Sequence, residues 1–178
     1  MAEAKSTART AASRSTRVTH HAAIVDAIEL LTADHRQVED WFEQLKSATG
    51  THKEGLALRI CQALRMHMQI EEEIFYPAFW EATRETTTHH EAEIEHERAR
   101  VLIAEIEIAS PQDEYFDARV KVLSEMIKHH VNDEEARGGM FAKARRSKMA
   151  LGEVGEQLAA RKAKLAAVAQ TGTWAGMP

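Results

Sequence analysis

Cysteine, glycine and proline are all scarce in this chain of 178 residues. The single cysteine, Cys61, excludes an internal disulfide framework and a cysteine-rich zinc module. Eight glycines and three prolines are roughly half the usual share, so turns are few and elements long, which argues against an all-β fold. No apolar run reaches about 18 residues, so no membrane span is expected. The first residues lack the apolar stretch of a secretory signal, and a cytoplasmic location is expected. Hydrophobic residues at 44% and charged residues at 29% are an ordinary mixture for a globular domain, and the length suits one domain plus tails.

Histidine is the residue in excess, with ten in the chain. Charge is unevenly placed. Of 23 basic and 28 acidic residues, four and one lie in residues 1–18 and seven and two in residues 142–178, which leaves 12 and 25 in residues 19–141. An acidic middle rich in histidine suits cations better than nucleic acid. The basic first stretch, rich in Ala, Ser and Thr, has almost nothing to bury. Residues 1–21 are therefore expected to be a disordered basic tail.

Four long helical patterns follow. Helix A covers about Thr32 to Ala48, with Leu31, His35, Val38, Phe42 and Leu45 on one stripe. Helix B covers about His52 to Tyr76, where Pro77 forces a break or kink. Helix C covers roughly 88–109. Helix D starts at Ser110–Asp113, with Pro111 suited to a helix entry, and Gly138-Gly139 stops it. Ala22–Leu31 reads as a short leading helix, and 149–168 as an Ala-rich fifth helix. Short connections between long helices imply antiparallel neighbours. The expected fold is all-α: an up-down-up-down four-helix bundle over residues 22–145, with a C-terminal helix and tail over 146–178.

Six residues occupy stripe positions where leucine belongs: His35, His67, Glu71, His96, His130 and Glu134. Burying an unpaired carboxylate costs several kcal/mol, so each needs a partner. In an antiparallel hairpin, residues at one level are equidistant from the turn. The midpoint of the His67–Glu71 pair is 69, and halfway from 35 to 69 is 52, beside Thr49–Thr51. Halfway from 69 to 96 falls at the polar run Thr83–Thr88. Halfway from 96 to 132, the midpoint of His130 and Glu134, is 114, beside Pro111–Asp113. The six side chains are therefore expected in one layer across the bundle. Each hairpin donates two histidines and one glutamate, the set that suits non-haem iron and leaves coordination positions open. Two facing sets give a two-metal site. Nitrogen and oxygen donors without sulfur point to iron or manganese, with zinc admissible.

The other polar residues have plainer readings. His20, His21 and His52 are expected at the surface, His90 falls off the stripe, and His89 lies on it two turns from His96. His129 could replace His130 only if helix D rotated. Glu93 forms ExxH with His96, a spacing seen in ferritin-like sites, but only one such match exists. Glu72 and Glu135 read either as acceptors for the imidazoles or as solvated face residues. Met66 and Met68, which flank His67, read either as lining of an apolar ligand pocket or, more plainly, as core filling, and Cys61 reads as an inert buried thiol.

The residues Asp34-His35-Arg36, His67 to Pro77 (HMQIEEEIFYP), Glu95-His96 and His130 to Glu135 (HVNDEE) resemble the hemerythrin-like, HHE cation-binding family over roughly residues 24–142. The resemblance implies a four-helix bundle holding two non-haem iron ions, joined by an oxo or hydroxo bridge. It makes His35, His67, His96 and His130 imidazole ligands, with Glu71 and Glu134 as bridging carboxylates. Oxygen-carrying members have two ligand histidines four apart on the third helix and an aspartate after the fourth-helix histidine. Here Ala92 stands four before His96, and the last carboxylate is Glu134. One iron thereby gains an open or oxygen-ligated position. This disfavours reversible dioxygen carriage. It favours redox chemistry with dioxygen, peroxide or nitric oxide in oxidative-stress defence or sensing, with catalase- or peroxidase-like turnover as the enzymatic form. The alternatives are an iron or oxygen sensor or buffer without turnover, a plain structural bundle, and a ferritin-like oxidase. The expected partner is a small ligand (dioxygen, peroxide or nitric oxide). No nucleic acid is expected, and the chain is a monomer or homodimer.

Overall fold

The structure, a computed structural model, describes residues 26–170. The expected basic tail over 1–21 and the end of the chain from 171 lie outside the described residues. Helix α1 (Ala27–Leu45) is capped by Asp26, whose carboxylate accepts from the backbone N–H groups of Ile28 and Glu29. This satisfies two donors that a helix start leaves free. The leading helix expected to end at Leu31 runs into the first bundle helix without a break. Thr32 lies inside α1, because Asp26 already caps the helix and Ala27, Ile28 and Leu31 are buried along the same helix.

Helix α2 (Gly50–Ile70) follows a turn in which Gly50 takes the left-handed conformation, φ 57°. The chain does not break at Pro77. It passes through a π turn (Glu71–Phe75) into α3 (Tyr76–Thr83). Proline has no N–H and its ring crowds the carbonyl one turn back. The wider π turn absorbs both, with the Tyr76 N–H donating to the Glu71 carbonyl five residues earlier.

Helix α4 (Thr87–Ile108) returns along the bundle, and α5 (Phe116–Glu135) completes it. The expected start of helix D at Ser110–Asp113 is corrected. Those residues form turns in which the Asp113 carboxylate accepts from the Tyr115 N–H at 2.8 Å, and this local bond competes with the helix. A short helix not expected from the sequence, α6 (Met140–Arg146), lies past Gly139. A Cβ at Gly139 would collide with the carbonyl oxygens of Asp133 and Glu134, so the close approach that turns the chain into α6 requires glycine. Helix α7 (Leu151–Gln170) buries Val154, Leu158 and Leu165 and packs on α1, α2 and the π turn.

The four bundle helices pack in the cyclic order α1, α2, α4, α5. No strand occurs among the described residues, and no helix in them is long and apolar enough to cross a membrane. The apolar interior is divided in two. One cluster holds Val38, Phe42, Leu64, Met68, Ile103, Leu123, Ile127 and Val131. The other holds Leu31, Phe75, Tyr76, Phe79, Ala92, Met140, Phe141 and Leu158. Between them lies a polar layer of six buried side chains.

Candidate metal centre

The layer consists of His35, His67, Glu71, His96, His130 and Glu134, all at most 5% exposed. The structure brings together all six residues picked out from the stripes. The imidazoles form two pairs. His35 Nε2 lies 3.0 Å from His67 Nε2, and His96 Nε2 lies 3.1 Å from His130 Nε2. Each glutamate spans both pairs. Glu71 Oε2 is 3.3 Å from His67 Nε2 and 3.5 Å from His96 Nε2. Glu134 Oε2 is 3.5 Å from His35 Nε2 and 3.7 Å from His130 Nε2. The arrangement has an approximate two-fold repeat, with one helical hairpin contributing to each half.

Every imidazole donates its outer nitrogen to a carboxylate. His35 Nδ1 donates to Glu135 at 2.8 Å, His96 Nδ1 to Glu72 at 2.9 Å, His130 Nδ1 to Glu95 at 2.8 Å, and His67 Nδ1 reaches Asp34 at 3.5 Å. These bonds fix the ring orientation and leave each Nε2 facing inward. Of the two readings left open for Glu72 and Glu135, the acceptor reading holds. Their neighbours in kind, Asp34 and Glu95, had no role assigned from sequence. The signal was present: each sits immediately before a layer histidine and so reaches the histidine on the next helix. Glu93 is not part of this set, since it sits at the surface beside His89.

The protons in the layer are unequally held. Burial opposes charge on His67, but Glu71 and Asp34 outweigh it and raise its pKa to about 10. Burial likewise opposes charge on His130, and Glu134 and Glu95 raise it to about 9. Burial and the neighbouring His67 charge push His35 down to about 4, and burial lowers His96. Each Nε2–Nε2 contact therefore carries one proton, shared between a charged and a neutral ring. The carboxylates split in the same way. Burial works against the Glu71 anion, yet His67 holds its pKa down to about 2, while burial and that anion push Glu134 up to about 8.

Tyr76 is a further residue that sequence reasoning missed. Its hydroxyl lies 3.2 Å from His96 Nε2, 3.3 Å from Glu134 Oε1 and 3.4 Å from Glu71 Oε2. In a continuous α-helix, residues five apart point about 140° away from each other. The π turn after Glu71 closes that angle and aims Tyr76 into the layer. Pro77 was the available sign. Burial, with the Glu71 and Glu134 carboxylates, holds the phenol well above its ordinary pKa of 10, so it keeps its proton. At the corresponding place in the other half, Phe141 stacks on His35 with ring centroids 5.7 Å apart and carries no hydroxyl.

A family model for the hemerythrin HHE cation binding domain matches residues 26–142. The chain belongs to this family. A crystal structure of a hemerythrin HHE cation binding domain-containing protein from Mycobacterium kansasii superposes with a TM-score of 0.64 at 18% sequence identity. The match covers 83% of this chain and 91% of that one, and it bears on the fold. No curated protein matches the chain.

The layer of this HHE domain fits a cation. Glu71 Oε1 and Glu134 Oε2 are buried without a hydrogen-bond partner among the described residues. Orphaned carboxylate oxygens in a closed interior are costly, and coordination to a positive ion removes that cost. His35, His67 and Glu71 each offer a donor atom within 4.8 Å of the others, and Glu71, His96 and His130 do the same.

Proposed function

We propose that this HHE domain holds two iron ions in the layer and uses them to react with a small oxidant. His35 and His67 would hold one ion, His96 and His130 the other, with Glu71 and Glu134 between them. The observation that carries the two-ion reading is the pairing itself: each glutamate contacts one histidine of each pair. A pair of such ions supplies the two electrons that reduction of peroxide to water requires.

The chain's own residues supply the rest. Val38, Leu64, Met68, Ile127 and Val131 line a cavity of about 10 Å³ against the four imidazoles. It has room for about one water-sized molecule, which excludes substrates beyond the smallest. The apolar walls exclude bulk water. Tyr76 reaches the layer from the opposite apolar cluster and holds a proton at its hydroxyl, within reach of both glutamates. A retained phenol proton at a closed redox site suits proton delivery to a reduced oxygen species and favours turnover over passive binding.

The test is metal content after anaerobic ferrous loading, followed by oxygen evolution or peroxide consumption. Two irons per chain with turnover that is lost in His67→Ala support the proposal. Two irons without turnover leave the sensing or buffering reading. No retained iron removes both.

A further inference from the structure

Three large apolar side chains stand on the outside of α4. Ile94, Val101 and Ile108 are 58%, 52% and 88% exposed. They are spaced by seven, so they follow one line along the helix with a drift of only about 20° per step. Val101 lies two residues, about 200°, from both Ala99 and Ile103, which point into the core. The flanks of α4 are taken. Arg100 and Glu107 pair with Glu72 and Arg65 on the α2 side, and Glu95 and Glu105 pair with His130 and Arg119 on α5. The line therefore faces away from the bundle, and α7 covers the α1–α2 side instead. The apolar surface broadens at a cleft of about 210 Å³ between α4 and α5, whose wall holds Ile94, Ala99, Met126 and Ile127 along with Arg98.

The charges on this face identify what fits it. Arg98 is exposed and has no acid partner among the described residues, and Glu105 bonds Arg119 through Oε2 alone. Both lie on the α5 flank of the apolar line. The midpoint of Ile94 and Ile108 is 101, and the midpoint of Arg98 and Glu105 is 101.5. One two-fold axis beside Val101 therefore serves both pairs. In an antiparallel contact between two α4 helices, Val101 meets its own copy, Ile94 meets the partner's Ile108, and Arg98 meets the partner's Glu105. A parallel contact would match the apolar residues equally well but set Arg98 on Arg98 and Glu105 on Glu105, which repel. Glu97, on the other flank, would lie against the partner's small Ala104 and about 13 Å along the helix from its own copy, beyond the Debye length of about 8 Å at physiological salt.

We propose that the outer face of α4 binds a second copy of this chain, antiparallel and about a two-fold axis beside Val101. One helix face over about 21 Å presents less than the roughly 800 Å² per partner of a standard interface, so the dimer belongs to the weak, concentration-dependent class.

Sedimentation of the full chain over about 1–300 µM is the test, a range that spans weak association. Wild type is expected to pass from 20.0 kDa towards twice that mass as concentration rises. Val101→Glu sets two like charges on the axis and should weaken association by about tenfold or more, with helical circular dichroism unchanged. Arg98→Glu and Glu105→Arg should each weaken it too, because each makes both charge contacts repulsive. An equimolar mixture of those two variants makes both contacts attractive again and should associate as wild type does. A dimer that Val101→Glu leaves intact would lie on another face and overturn the proposal, as would a mixture no more associated than either variant alone. A wild type monomeric across the range would also overturn it; if Val101→Glu then lowered the melting temperature, the occupant of the face would be the chain's own residues outside 26–170.

Discussion

Glu134→Gln is expected to stabilise the metal-free protein while weakening its metal binding. In the metal-free protein Glu134 is fully buried and its pKa is pushed from the ordinary 4.5 up to about 8, by burial and by the Glu71 anion. Between those pH values the folded chain binds a proton that the unfolded chain does not. Stability therefore falls as pH rises from about 4.5 to about 8 and is flat above that. At pH 7 holding the proton costs the fold about 3 kcal/mol, at about 1.4 kcal/mol per pH unit above the ordinary value. Glutamine has the shape of the protonated acid and needs no proton. Its second N–H must find an acceptor, so the net gain is about 1–2 kcal/mol. Glu71 behaves oppositely. Its pKa is held down to about 2, so its contribution is present above 4.5 and lost as pH falls through about 2. Glu71→Gln breaks a buried pair with His67 and is expected to destabilise by about 3 kcal/mol. The assay is urea unfolding in the presence of a chelator at pH 5, 7 and 8, followed by helical circular dichroism. Glu134→Gln should also flatten the fall between pH 5 and 8. A metal-free Glu134→Gln less stable than wild type by more than about 1 kcal/mol would refute the assignment of the proton.

Loading the layer with a divalent cation at pH 7 should release about three protons per chain, from His67, His130 and Glu134, because ligands must be deprotonated to bind; an indicator dye in weak buffer reads the number, and release of none would contradict the protonation pattern. Tyr76→Phe removes a hydroxyl but no metal donor, so it should leave two ions bound and slow peroxide turnover by about 100-fold to 10,000-fold, the usual range for a general acid. Gly139→Ala should lower stability by about 2 kcal/mol or more, read by thermal melting, since its Cβ would meet two carbonyl oxygens at the turn into α6. Burial, with Glu107 nearby, pushes the Cys61 thiol up to about 12. An alkylating reagent at pH 8 should therefore leave Cys61 unmodified until urea unfolds the chain.

The six layer residues were legible because two independent periodicities met on them. The 3.6-residue stripe says which residues face inward, and equal distance from the turns says which of those share a level. Polar residues in both sets are rare enough to stand out. What was not legible depends on geometry that neither periodicity carries. Tyr76 follows Glu71 by five, a spacing that a regular helix sends away from the site, and only the π turn imposed next to Pro77 returns it. Asp34 and Glu95 look like ordinary helix-surface acids until the neighbouring helix supplies the imidazole each one holds. The start of α5 was misplaced because Pro111 suits a helix start and an open turn equally, and the Asp113 side chain decided for the turn. Helix α6 is a short run between Gly139 and Ser147, too brief to show a stripe.

The departures from the two-fold repeat are informative because the repeat itself is so regular. Each hairpin gives a histidine preceded by an acid and an HxxxEE segment, and the acids fall on imidazoles in the same pattern in both halves. A site needed only to hold two ions gains nothing from breaking that pattern. Yet it is broken at two places. Tyr76 puts a protonated phenol against the His96 side, whereas Phe141 offers only a ring face to His35. Arg36, Arg100 and Lys162 are ion-paired with three of the outer acids, whereas Glu95, on the His130 side, is paired with His129. Both differences fall on the same pair of histidines, His96 and His130. The ion held there would be the one nearer the phenol proton, and the two positions would differ in exchange rate and in reactivity. Limiting cobalt should accordingly be displaced by zinc in two phases. A single phase in wild type would show that the two halves behave alike and that the asymmetry has no consequence for metal exchange.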